Sequence, residues 1–237
     1  MAMAKHKFTH PLSNSNGRFA NPRSRIGSAR GTAQMTESTK QLETWQCEFG
    51  TAYTDRNVVD WKRRLPAFEK MLAGIELKRV LEIGCNRGHN LQTLLEVLGD
   101  GTEIIGVEPN AYALALARSA SNKVSAIPGN ALDIPFKDGY FDLVFTAGVL
   151  IHIPPERLSD AMREIARVTR RYVLAIEYYD EQDTVIEYRG HNDLLWKRDF
   201  LKHYQTNAPG LTLVRSGYWA QEDGFDRSHW WLMEKAV

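Results

Sequence analysis

The segment Glu82-Ile-Gly84-Cys-Asn86-Arg-Gly88 concentrates residues that bring backbone close to a ligand. Glycine has no Cβ and takes positive φ freely, so a turn on Gly84 and Gly88 lets N–H groups approach a bound molecule. Asparagine is the next residue most tolerant of left-handed geometry, so Asn86 keeps the turn tight. Further on, Glu108 ends the run Gly-Val-Glu-Pro-Asn. An acid about twenty residues beyond such a turn can accept both hydroxyls of a ribose. Together the two features describe a nucleoside cradle. The dinucleotide fingerprint G-x-G-x-x-G fits poorly: reading from Gly84, the next glycine is Gly88, two positions late.

These residues need a strand before the turn and a helix after it, and the surrounding pattern supplies both. Apolar runs predict strands over Arg79–Ile83, Glu103–Glu108, Lys123–Ile127, Tyr140–Thr146 and Tyr172–Ile176. Between them, helical spacing predicts helices over Asn90–Leu98, Ala111–Ser121 and Pro155–Thr169, the last with Leu158, Met162, Ile165 and Val168 on one stripe. Residues 39–50 and 56–73 read as helices ahead of the sheet, with Pro66 kinking or restarting the second. A short helix is expected over Asp199–Tyr204, then hairpin strands over Leu211–Ser216 and His229–Glu234. Strands alternating with helices mean an α/β fold with ligands at the strand carboxyl ends.

The glycine turn resembles motif I of the class I S-adenosylmethionine (SAM) dependent methyltransferases, usually E/D-x-G-x-G-x-G, with Asn86 in place of the middle glycine. Gly129-Asn-Ala-Leu-Asp-Ile-Pro-Phe136 resembles the loop that reads adenine in those enzymes, which implies contacts from Asn130 and the backbone of Ala131. Phe141-Asp-Leu-Val-Phe-Thr-Ala-Gly-Val-Leu-Ile-His-Ile-Pro154 resembles their fourth strand and loop, which implies that Ala147 and Gly148 pass the methionine part and that His152 sits beyond it. The resemblance therefore implies SAM as cofactor. It implies a Rossmann-like, mostly parallel seven-stranded sheet with an antiparallel C-terminal hairpin and an N-terminal helical lid.

Much of residues 41–237 also resembles the methylases associated with pseudaminic acid biosynthesis. The resemblance runs through Glu48-Phe-Gly-Thr-Ala-Tyr-Thr-Asp-Arg-Asn57, Gly148–Pro154, Glu177-Tyr-Tyr179, Tyr188-Arg-Gly-His-Asn-Asp193, Lys197-Arg-Asp-Phe200 and Trp230-Trp-Leu-Met-Glu-Lys235. It implies a small polar acceptor, of a sugar or nucleotide-sugar related kind. Tyr53, Arg56 and Asn57 precede the sheet where a lid would close, and Arg56 is expected to pair with the cofactor carboxylate in two-point fashion. Tyr178, Tyr179, Tyr188, Arg189, His191, Lys197 and Arg198 gather around the insertion after the fifth strand. Aromatics mixed with cations suit an anionic or hydroxylated ligand. An alcohol acceptor benefits from a general base, and His152, His191 and Tyr179 are the expected ones. Two alternatives stay open: methylation of a natural product or an amino or keto acid, and a SAM-binding module without catalysis.

Composition bounds the rest. Charged residues are 25% and hydrophobic residues 43% of the chain, an ordinary soluble profile, and no apolar run approaches a membrane span. Cys47 and Cys85 have neither metal-ligand nor disulfide spacing, so no metal site is expected and a reducing cytoplasm fits. Residues 1–34 hold six basic residues and no acid, so the overall +1 becomes −5 across residues 35–237. Residues 1–38 read as a disordered basic leader and residues 39–237 as the methyltransferase domain; residues 1–34 fit an organelle transit-like segment, a basic arm or, the favoured reading, upstream sequence ahead of a start at Met35. The acidic body argues against nucleic acid as partner. A monomer or homodimer acting on a small molecule is expected.

Overall fold

A computed structural model of the chain describes residues 38–236, so the expected leader lies almost wholly outside the described residues. Helices α1 (Lys40–Gln46) and α2 (Glu48–Arg56) come first. Asn57 ends α2, a 3-10 turn spans Trp61–Arg64, and α3 covers Leu65–Leu72. The single helix expected over 56–73 is thus a turn plus a shorter helix, with Pro66 in the first turn of α3, where its missing N–H costs nothing. Then follow β1 (Arg79–Ile83), α4 (His89–Leu98), β2 (Glu103–Glu108), α5 (Ala111–Ala120), β3 (Ser125–Pro128), β4 (Phe141–Ala147), α6 (Pro155–Val168) and β5 (Thr169–Glu177). Next come the two-residue strands β6 (Thr184–Val185) and β7 (Trp196–Lys197), which pair with each other, α7 (Phe200–Asn207), β8 (Leu211–Trp219) and β9 (Ser228–Lys235).

The main sheet has the order β3-β2-β1-β4-β5-β9-β8, parallel except for β9, which runs against both of its neighbours. The expected mostly parallel sheet of seven strands with a reversed hairpin is therefore what forms. β5 starts three residues earlier than expected because α6 passes into it without a loop: Thr169 is buried and its hydroxyl donates to the Ile165 carbonyl at 2.7 Å, closing the helix.

Side chains of the strands alternate between two buried clusters, one on each face. On β4, Val144 joins the cluster beneath α6, while Leu143 and Phe145 join the one beneath α3 and α4. On β5, Val173 and Ala175 face the first cluster, Leu174 and Ile176 the second. Covering on both faces explains why these strands read as unbroken apolar runs. It also leaves the carboxyl ends of β1, β2 and β4 open at the point where strand order reverses, between β1 and β4. Among the described residues, no helix is long and apolar enough to cross a membrane.

Candidate functional site

A cavity of about 410 Å³ opens at those strand ends. Its floor is the glycine turn. Gly84 has φ 69°, Asn86 φ 46° and Gly88 φ 81°, so asparagine does hold the left-handed place of the usual glycine. The Gly84 and Cys85 N–H groups donate to the Val107 carbonyl at 2.8 and 3.0 Å, which pins the turn to β2. A Cβ on Gly84 would stand 2.6 Å from a Val149 methyl, so any larger residue would have to displace Val149 as well as hold a positive φ. Cys85 packs against Gly106 as a buried space-filler, with burial pushing its thiol well up.

Two carboxylates meet this floor. Glu108, 6% exposed, accepts the Asn86 N–H at 2.8 Å and the Asn110 N–H at 2.9 Å; burial raises its pKa against those bonds. Glu82, 2% exposed, accepts from Asn90 Nδ2 at 2.7 Å through Oε1, while Oε2 is buried with no partner. Burial pushes the Glu82 carboxyl up to about 8, opposed by Asn90 and by Arg64. Arg64 completes a chain: Nη1 donates to Asn90 Oδ1 at 2.7 Å, Nε to the Gly224 carbonyl at 2.8 Å, and the guanidinium lies 4.8 Å from the Phe225 ring centre. Burial lowers the Arg64 pKa. A buried, unsatisfied carboxylate oxygen beside a fixed guanidinium suits a ligand with both an ammonium and a carboxylate group.

Further along the wall, Asn130 and Ala131 line the cavity, and Asn130 Oδ1 accepts the Leu132 N–H at 2.8 Å, shaping the loop after β3. Ala147 and Gly148 line it at the end of β4, and Gly148 has φ 69°. The loop beyond is held from both ends. Glu177, fully buried at the end of β5, accepts N–H groups of Val149, Leu150 and Ile151 at 3.2, 3.2 and 3.3 Å, and burial pushes it up to about 7. Arg198, also fully buried, donates to the Ile153 carbonyl at 3.0 Å. His152 sits between these anchors. Its Nδ1 lies 2.6 Å from the Leu194 carbonyl, which can only accept, so Nδ1 carries the hydrogen and Nε2 keeps a lone pair. Burial pushes His152 down to about 4, so the ring is neutral near pH 7.

The cavity wall around His152 is aromatic. Trp45 packs 4.4 Å from His152 and 5.1 Å from Tyr53 between ring centres, and Tyr188 lies 5.7 Å from His152. Tyr53 accepts from Asn57 Nδ2 at 3.0 Å, and burial pushes its phenol up to about 12. Tyr178 donates to Asp226 at 2.5 Å.

Several expected site residues stand elsewhere. Arg56 is exposed at the end of α2 and does not line the cavity; Arg64, eight residues on, does. His191 is exposed and meets Phe49 at 5.7 Å, and Tyr179 packs on His229 at 4.8 Å, so neither lines the cavity. Lys197 lies in β7 away from it, and Arg198, which does not line it either, turns Nη1 to the loop backbone and Nε to Asp183 at 3.4 Å. Tyr53, Glu82, Gly84, Asn86, Glu108, Asn130, Ala131, Ala147, Gly148, His152, Tyr178, Tyr188 and Arg189 do line it, and Gly88 is buried against Ala117 just beneath. Sequence reasoning missed Trp45, Arg64, Asn90 and Glu177. Only Glu177 left a signal, as an acid closing an apolar strand in the manner of Glu108.

This architecture is the Rossmann-like fold of class I methyltransferases, and residues 81–176 match the family model described as methyltransferase domain. The chain is 33% identical over 132 residues to the tRNA U34 carboxymethyltransferase of Pseudomonas aeruginosa, covering 51% of this chain and 38% of that one. It is 33% identical over 99 residues to the chloroplastic tocopherol O-methyltransferase of Arabidopsis thaliana, covering 39% and 27%. The chain thus spans under two fifths of the length of these curated relatives. Among solved structures, the Burkholderia thailandensis 1,6-didemethyltoxoflavin-N1-methyltransferase, with bound 1,6-didemethyltoxoflavin and S-adenosylhomocysteine, aligns with a TM-score of 0.66 at 17% identity, covering 90% of this chain and 99% of that one.

Proposed function

We propose that the chain is a SAM-dependent methyltransferase that moves a methyl group to an oxygen or nitrogen of a small polar acceptor. The observation that carries this reading is the pair of buried carboxylates on the glycine turn. Glu108 is held by two backbone N–H groups at the end of β2, and Glu82 keeps a buried oxygen without a partner. In this reading Glu108 accepts the ribose hydroxyls and Glu82 receives an ammonium group. Arg64 and Asn90 hold a carboxylate, Asn130 and Ala131 meet adenine, and Ala147 and Gly148 give the backbone room to pass the methionine part.

When bound, the cofactor supplies a methyl group already activated on a sulfonium. The protein then has to align and desolvate, and orientation alone offsets several kcal/mol of barrier. The aromatic wall of Trp45, Tyr53 and Tyr188 excludes water from the acceptor side. His152, neutral and with Nε2 free to accept, takes the proton of an attacking hydroxyl or amine, while Leu194 holds the ring through Nδ1. The resemblance of much of residues 41–237 to pseudaminic acid-associated methylases supports a sugar or nucleotide-sugar related acceptor. The negative charge of residues 35–237 supports a small molecule over RNA.

Calorimetric titration with S-adenosylhomocysteine and with NAD tests the reading, and a response to NAD alone would sink it. Glu108→Ala removes two hydrogen bonds to a charged acceptor, so affinity for S-adenosylhomocysteine is expected to fall at least about tenfold. An unchanged affinity would refute the ribose assignment.

A further inference from the structure

We infer that the acceptor carries an anionic group, a carboxylate or a phosphate, and that Arg189 at the cavity mouth selects it; the inference rests on the methyltransferase reading of the same cavity. Among the described residues, three arginines line that cavity, and two have other roles: Arg64 at the cofactor carboxylate in the proposed function, and Arg87 as a tie to α2. Arg64 is fixed by Asn90 and the Gly224 carbonyl, and Arg87 donates to the Thr54 carbonyl at 3.2 Å. Among the described residues, no hydrogen bond or ion pair engages Arg189. The cavity carboxylates do not reach it either. Glu82 and Glu108 serve the floor, and Asp226 accepts from Tyr178.

The backbone beneath Arg189 is unusual. Arg189 has φ 54° and Gly190 φ 80°, and the Tyr188 and His191 N–H groups exchange bonds with each other's carbonyls at 2.8 and 3.1 Å. This is a two-residue hairpin turn with both central residues left-handed, a place where asparagine or glycine sits without strain. A strained residue at a cavity mouth is a pointer to a role for its side chain. The guanidinium carbon lies 5.8 Å from the Tyr188 ring centre, and a guanidinium packed on an aromatic ring keeps its N–H edge for two-point contact with a carboxylate or phosphate.

The turn is also braced toward the reacting groups. Tyr188 packs against His152, and Asp193 binds Lys40 at 2.7 Å and accepts from Gln41 Nε2 at 3.1 Å through its carbonyl. Arg189 therefore stands on the same wall as the proposed proton acceptor. An anionic group held there sets the acceptor's position relative to His152. Lys197 and Arg198 offer no second cation, because neither lines the cavity.

The full chain, saturated with S-adenosylhomocysteine, is titrated with compounds paired by charge: glucose 6-phosphate against glucose, UDP-N-acetylglucosamine against N-acetylglucosamine, and 3-hydroxybutyrate against its amide. At least one anion is expected to bind more tightly than its neutral partner. Arg189→Gly keeps the left-handed turn and deletes the guanidinium, so it should weaken that anion at least about tenfold while S-adenosylhomocysteine affinity stays within about twofold. Arg189→Lys should recover only part of the loss, since an ammonium is a point charge without the fork. Equal anion affinity in Arg189→Gly, binding of neutral members alone, or no anion bound at all would overturn the inference and leave the cofactor reading standing. Failure of S-adenosylhomocysteine to bind the unsubstituted chain would overturn both.

Discussion

Glu82 is the residue in this chain whose ionisation says most. Burial, with Glu108 adding repulsion, holds its proton up to about pH 8, although Asn90 and Arg64 pull the other way. In an unfolded chain the same carboxyl titrates near 4.5. Between those values the folded protein binds one proton more than the unfolded one, so this group's contribution to stability falls as pH rises. The neutral histidines work in the opposite direction. His89 and His152, both pushed down to about 4 chiefly by burial, cost stability as pH falls below the ordinary histidine range of 6.5. A single melting curve mixes these trends, but a comparison isolates one. Glu82→Gln removes its titration, so the unsubstituted chain should lose melting temperature relative to that variant from pH 5 to pH 8. A constant difference across that range would show that Glu82 does not titrate there. Much of this residue-scale picture was legible in sequence: Glu82, Asn86 and Glu108 announce themselves by spacing. Arg64 did not, because Lys62-Arg63-Arg64 reads as a solvated run and only the 3-10 turn aims its third member inward. Arg198 shows the reverse failure, a cation in a polar insertion that is wholly buried.

At the scale of elements, the roof over the cavity is a pair of short helices that could not stand alone. One side chain does most of the fastening. Asn110 Nδ2 donates to the carbonyls of Trp45, Gln46 and Cys47 at 3.0, 3.3 and 3.2 Å, where α1 gives way to α2. Its Oδ1 accepts the N–H groups of Tyr112 and Ala113, capping α5. Gly50 lets the joint close, because a Cβ there would fall 1.9 Å from the Trp45 carbonyl oxygen. Asn86 and Arg87 add ties from the glycine turn to Thr54, and Tyr112 donates to Asp55. Asn110→Ala loses a helix cap and leaves carbonyls short of a donor, at a cost of about 2–4 kcal/mol. Amide exchange over residues 40–56 should accelerate more than exchange in β1 or β4, and uniform acceleration would show that the roof is not separately fastened. The strands were readable before the structure because each is buried on both faces. The insertion after β5 was not, since β6 and β7 are two residues long and are held by long-range contacts such as the Lys40–Asp193 pair.

At the scale of the molecule, the described residues that line the cavity run from Thr39 to Ser228. Residues 1–34, with their six basic residues, lie outside the described ones. A chain lacking residues 1–34 is expected to bind S-adenosylhomocysteine within about twofold of the full chain. A larger loss would assign those residues a part in cofactor binding. Any retention on RNA by the full chain should disappear with them, given the −5 that remains over residues 35–237.

The two cysteines divide in a useful way. Cys85 is sealed under the glycine turn, while Cys47 is exposed at the joint between α1 and α2. A thiol-directed fluorophore would therefore attach at the joint between α1 and α2 and nowhere else among the described residues. Such a fluorophore would report on the surroundings of the α1–α2 joint, two residues from the cavity-lining Trp45, without an engineered cysteine.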